Sequence, residues 1–144
     1  MTEDYFEKEL MFKKSKGLIR EQKKTVSIFP VGKLMEISTA QTDEHSKLMT
    51  MMKDRPVDYG DKILLDILDH NMERVSIIIK GVRITRASDI TAHDIELMGL
   101  TIKEGELPFD VYCSYMKDGG IDFITPDTYL YSVVFEYEHP IKLD

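Results

Sequence analysis

The sequence predicts a small α+β protein, a mostly antiparallel β-barrel with two to four short helices at its rim. Three observations carry this. The chain has 144 residues, the size of one domain, assigned here to residues 1–144. Its two strongest apolar patterns, at residues 74–86 and 128–138, are long and rich in β-branched and aromatic side chains, which marks strands. The helical stretches are short and do not alternate with strands regularly enough for a parallel βαβ sheet, so a small closed or half-closed barrel fits better.

Taken in order, Phe6, Leu10, Met11 and Phe12 in residues 4–13 fit a strand or a short helix, and a strand at 9–12 is the preferred reading. Residues 17–22 read as one or two helical turns with Leu18 and Ile19 facing inward. Residues 25–29 form a strand that stops at Pro30. A turn at Val31 and Gly32 leads to a second short strand over residues 33–38. Residues 41–54 lack Gly and Pro and predict a helix, capped by Thr42 or Asp43 and ended by Arg55 and Pro56. Tyr59, Gly60 and Asp61 turn the chain into a strand at 62–68, expected to be buried on both faces at its centre. A turn at 69–71 leads into the long strand 74–86, where Gly81 suggests a bulge. Thr91 and Asp94 have capping-box spacing, and Gly99 is placed to end that helix. Pro108 opens a helix to residue 117. Residues 121–124 read as a short strand, Pro126 and Asp127 as a turn, and 128–138 as the closing strand. Along it Tyr129, Tyr131, Val133, Phe135 and Tyr137 share one face.

Composition narrows the function classes. A lone cysteine, Cys113, leaves no internal disulfide, which fits a cytoplasmic location. The acidic first residues do not read as a signal peptide, and the longest apolar run, five residues, is far short of a membrane span. His45, His70, His93 and His139 show no metal spacing, and no cofactor is expected. Met35, Met49, Met51 and Met52 read as core filler. The net charge is −7, yet residues 8–24 carry seven basic side chains against Glu9 and Glu21. Such a chain lacks the broad basic face of a duplex-DNA binder. It remains compatible with an anionic ligand or short single strand held locally.

Four stretches together resemble the ASCH domains, a branch of the PUA-like barrels. Gln22, Lys23, Lys24, Thr25, Val26, Ser27 and Ile28 are similar to that family's Gly-x-Lys-Thr-x-Thr-Ile signature. Tyr59 to Leu64 is similar to its Gly-Asp turn into a central strand. Val82 to Gly99 is similar to its strand, Asp-Ile-Thr cap and helix, and Tyr129 to Glu138 to its aromatic closing strand. Residues 33–56 would then be an insertion carrying a helix. Gln22 stands where the signature has glycine, and Phe29 where it has arginine. In small bacterial members that hydrolyse N4-acetylcytidine, a lysine and a threonine of the signature work with a glutamate on the later helix. Lys24 and Ser27 match the first two. The third falls on Met98, with Glu96 the nearest carboxylate.

Three readings follow. In the first, the chain is a binding module of ASCH/PUA-like type. It holds a nucleotide, a modified nucleoside or a short RNA in a cleft between residues 23–27 and the 89–99 helix. Lys23, Lys24, Thr25, Ser27 and Arg83 would bind the ligand, the cations through charged hydrogen bonds. In the second, it is an amidohydrolase on an acylated nucleoside, with Lys24 and Ser27 at the reacting group and Glu96 carrying the proton. In the third, it is a small regulatory or inhibitory module whose acidic body meets a protein partner.

Overall fold

The computed structural model describes residues 5–32, 43–67 and 74–140. The strand expected at 33–38 and the turn at 69–71 lie outside these residues, as do Met35 and His70. Two helices open the chain, α1 (Tyr5–Leu10) and α2 (Lys13–Arg20), followed by β1 (Val26–Pro30) and α3 (Glu44–Lys53). Then come β2 (Lys62–Asp66), β3 (Arg74–Arg86), α4 (Ala92–Leu97), α5 (Pro108–Asp118) and β4 (Tyr129–Tyr137). The four strands form one sheet in the order β1-β4-β3-β2, and every pairing is antiparallel. This is the small α+β architecture that the sequence predicts, an antiparallel half-barrel sheet with short helices around it. No helix among the described residues is long and apolar enough to cross a membrane.

The β3–β4 ladder is the spine. Ile77, Ile79, Val82 and Ile84 pair with Tyr137, Phe135, Val133 and Tyr131 on one face, and the register shifts between Ile79 and Gly81. The bulge sets ten residues of β3, Ile77 to Arg86, against the nine of β4 and bends the sheet. α1 covers β1, with Phe6 tilted onto Phe29 at 5.3 Å between ring centroids. α4 begins with the full capping box. Thr91 Oγ1 accepts from the Asp94 N–H at 3.1 Å, and Asp94 Oδ2 accepts from the Thr91 N–H at 2.9 Å. Gly99 follows α4 at φ 85°, the left-handed geometry that ends a helix cheaply only with glycine.

Three expectations are corrected. The expected strand at 9–12 begins inside a helix, because Tyr5, Phe6, Glu9 and Leu10 fall on one helical face and all four are buried. Residues 121–124 form no strand; the Ile121 N–H instead donates to Met116 O at the end of α5. Strand 62–68 is not buried on both faces. β2 is the outermost strand, and Leu64 at its centre is 57% exposed.

Candidate functional site

A polar cluster lies inside the core, where unpaired charge would be costly. α1 supplies Glu9, α2 supplies Ser15, the approach to β1 supplies Lys24, β1 supplies Ser27 and α5 supplies Tyr115. Lys24 Nζ lies 2.6 Å from Glu9 Oε1, and both side chains are 0% exposed. Ser27 Oγ donates to Glu9 Oε2 at 2.6 Å, and Tyr115 OH donates to Glu9 Oε1 at 2.7 Å. Ser15 reaches the same carboxylate oxygen at 3.4 Å and also bonds the Tyr115 hydroxyl. The Lys24 ammonium sits 5.5 Å from the centroid of the Tyr115 ring. The carboxylate is therefore filled on both oxygens. The ammonium has the Glu9 contact and a ring face, and among the described residues no acceptor aligns with its N–H groups.

The local backbone is held by two more tyrosines. Tyr112 OH donates to Ile28 O at 2.9 Å, and Tyr137 OH donates to Lys24 O. Burial, and then the negative charge of Glu9, push the Tyr115 hydroxyl well above the usual phenol range. Tyr115 is thus a neutral donor at any physiological pH.

Tyr115 also reaches a cleft of about 780 Å³ between α2 and α5. Phe12, Gly17 and Leu18 form one wall, and Val111, Ser114 and Gly119 the other. Lys13 and Lys14 stand at its rim against Glu21, Glu106, Asp110 and Asp118. The volume suits one small organic ligand. The Phe12 ring packs edge-on to Tyr115 at 5.5 Å. It also covers Gly119, where a Cβ would lie 2.1 Å from the ring.

The residues singled out in the sequence separate into two groups. Lys24 and Ser27 converge, and the carboxylate they meet is Glu9. Glu96 is exposed on α4. Lys23 is exposed and pairs with Glu21 at 3.2 Å. Arg83 pairs with Asp94 at 2.8 Å, a surface link from β3 to α4. Thr25 spans the gap in which a cleft was expected. Its N–H donates to Leu97 O at 2.8 Å and its hydroxyl points to the same oxygen at 3.4 Å. Met98 and Phe29 are buried in the apolar core, so neither position offers the acid or base of the resembling signature. Glu9, Ser15 and Tyr115 were missed. The available signal was Glu9 on the apolar side of an amphipathic segment. Among the described residues no group of His, Cys, Asp or Glu is placed to hold a metal.

No family model and no curated protein match this sequence. In structure the chain is similar to protein EF3133 from Enterococcus faecalis V583, described by the family model DUF984. The TM-score is 0.53 at 16% identity, over 86% of this chain and 66% of that one. The chain thus spans just under two thirds of that protein's length. An ASCH domain from Lactobacillus crispatus JV V101 overlaps 85% of this chain and 69% of its own at TM-score 0.47 and 14% identity. At such identities the Enterococcus likeness is one of fold.

Proposed function

We propose that this chain is a ligand-binding module of ASCH/PUA-like type that takes a nucleoside or nucleoside monophosphate in the α2–α5 cleft. The observation that carries the reading is the joining of that cleft to the buried Glu9–Lys24 pair through Tyr115. Phe12 and Tyr115 offer apolar and aromatic surface to a base, and Lys13 and Lys14 a point charge to one phosphate. Four carboxylates around the same cleft oppose a polyphosphate or a long RNA backbone, so a nucleotide or nucleoside is favoured over short RNA. Calorimetry against nucleosides, nucleoside monophosphates and a short single-stranded RNA tests this. Ser114→Trp fills the cleft from its exposed wall without touching the core. It should weaken every genuine hit at least about tenfold, roughly 1.4 kcal/mol. Equal binding by parent and Ser114→Trp would place the ligand elsewhere.

The amidohydrolase reading is supported by one observation, the meeting of Lys24, Ser27 and a carboxylate. In it Glu9 takes the place the sequence offered to Glu96. It would receive the proton released by the attacking group and return it to the leaving amine. All three groups are buried, so the reading needs Tyr115 or α1 to move aside. A deacylation assay on N4-acetylcytidine, with Glu9→Gln as control, decides it. Turnover that survives in Glu9→Gln would exclude this cluster as its source.

A further inference from the structure

We propose that the outer edge of β2 pairs with the same edge of a second copy of this chain, giving a weak two-fold dimer. β2 ends the sheet, and among the described residues no strand lies beyond it. The phase of its ladder is fixed by the Ile79 N–H donating to Asp61 O at 2.8 Å and by Ile63 opposing Ile77. Antiparallel pairs alternate between bonded and non-bonded. Asp61, Ile63 and Leu65 therefore turn their backbone groups to β3, while Lys62, Leu64 and Asp66 turn theirs outward. The side chains of those three share one exposed face of the sheet.

The sequence of this edge, Lys-Ile-Leu-Leu-Asp, is complementary to itself when run antiparallel. Centred on Leu64, the pairing puts Leu64 opposite its own copy and Lys62 opposite Asp66 at both ends, as two-fold symmetry requires. A shift of two residues sets each charge against leucine, and a parallel pairing sets lysine on lysine. A lone edge lysine ordinarily blocks strand addition; here Lys62 already pairs with Glu138 at 2.7 Å and Asp66 with Arg74 at 2.9 Å, and a partner's opposite charge at each end extends these pairs and selects this register. Leu64 is 57% exposed and faces Ser76 across the ladder, so the apolar contact is the leucine pair itself. Five residues make a small interface, and association should be concentration-dependent.

Sedimentation equilibrium at low salt, from about 10 µM to about 1 mM, should show the mass rising from one chain toward two. Lys62→Asp alone and Asp66→Lys alone should each weaken self-association at least tenfold, because each sets like charges together twice. An equimolar mixture of the two variants should pair as one copy of each, and the double variant Lys62→Asp/Asp66→Lys should regain the parent's association. Circular dichroism checks that each variant is folded. A monomer throughout the range overturns the proposal. So do single variants that associate as the parent does, or a mixture that stays monomeric.

Discussion

Glu9 and Lys24 face each other with both side chains fully buried, so each is held by the other. Removing one partner of such a pair leaves a buried charge uncompensated, at about 3–5 kcal/mol. Glu9→Gln is therefore expected to lower stability by about that amount in urea unfolding, because among the described residues the Lys24 ammonium pairs with no other carboxylate. Lys24→Met should cost less, since Glu9 keeps the hydroxyls of Ser27, Tyr115 and Ser15. The double variant should lose less than the sum, the mark of a coupled pair. Lys23→Ala, one residue away and exposed, should stay within about 0.5 kcal/mol of the parent. A Glu9→Gln protein that unfolds at the parent's midpoint would refute the buried pair. Two of the five members of this cluster were legible in the sequence. Lys24 and Ser27 stood out because a signature surrounds them. Glu9 and Tyr115 lie 15 and 91 positions from Lys24, and only packing brings them to it. Reading residues 9–12 as a strand also hid the helical face that carries Glu9 inward.

At the scale of elements, strands and caps were read well where local chemistry decides them. The 13 residues of β3, the Gly81 bulge, the Thr91–Asp94 box and Pro108 at the head of α5 all depend on neighbours in sequence. Element depth was harder to read. β2 looked like a buried strand because its composition is apolar, yet one face of the antiparallel sheet is open to solvent there, as Leu64 shows. The junction between α2 and β1 shows the sequence departing from a local rule. Gln22 stands where the resembling signature has glycine, and its φ is 57°. A left-handed residue with a Cβ costs about 1–2 kcal/mol relative to the right-handed basin. Gln22 offsets part of this through Nε2, which donates to His139 O at 2.9 Å. Gln22→Gly should raise stability by roughly 0.5–1 kcal/mol, the strain relieved exceeding one exposed hydrogen bond. Thermal melting reads this directly, and a lower melting temperature would mean the His139 contact outweighs the backbone. Gly81 is different. A Cβ there meets nothing within 4 Å and its φ is not positive, so the bulge does not demand glycine.

At the scale of the molecule, four tyrosine hydroxyls tie separate elements together. Tyr112 bonds Ile28 O, Tyr115 bonds Glu9, Tyr131 bonds Met51 O and Tyr137 bonds Lys24 O. They join α5 and β4 to α1, α3 and the β1 segment. Burial is the leading cause that raises each hydroxyl. Tyr131 is pushed up to about 12, with Asp54 adding to the effect; Tyr115 and Tyr137 go higher, and Tyr112 is raised well above the usual phenol range. An unfolded tyrosine titrates near pH 10. The fold thus holds the neutral form, and the unfolded chain loses its protons first as pH rises. The stability from these groups is fully present below about pH 10 and is lost as pH climbs through the folded values. Unfolding free energy should stay level from about pH 7 to about pH 9.5. It should then fall, with each tyrosine contributing up to about 1.4 kcal/mol per pH unit. Tyr112→Phe should start less stable, because Ile28 O loses its donor, and then fall less steeply above pH 10. Urea unfolding followed by circular dichroism at stepped pH separates the two effects, since one sets the plateau and the other the slope. A parent protein whose stability held level through about pH 11.5 would mean that these hydroxyls ionise as freely in the fold as in the unfolded chain. These ties would then be at the surface rather than in the core.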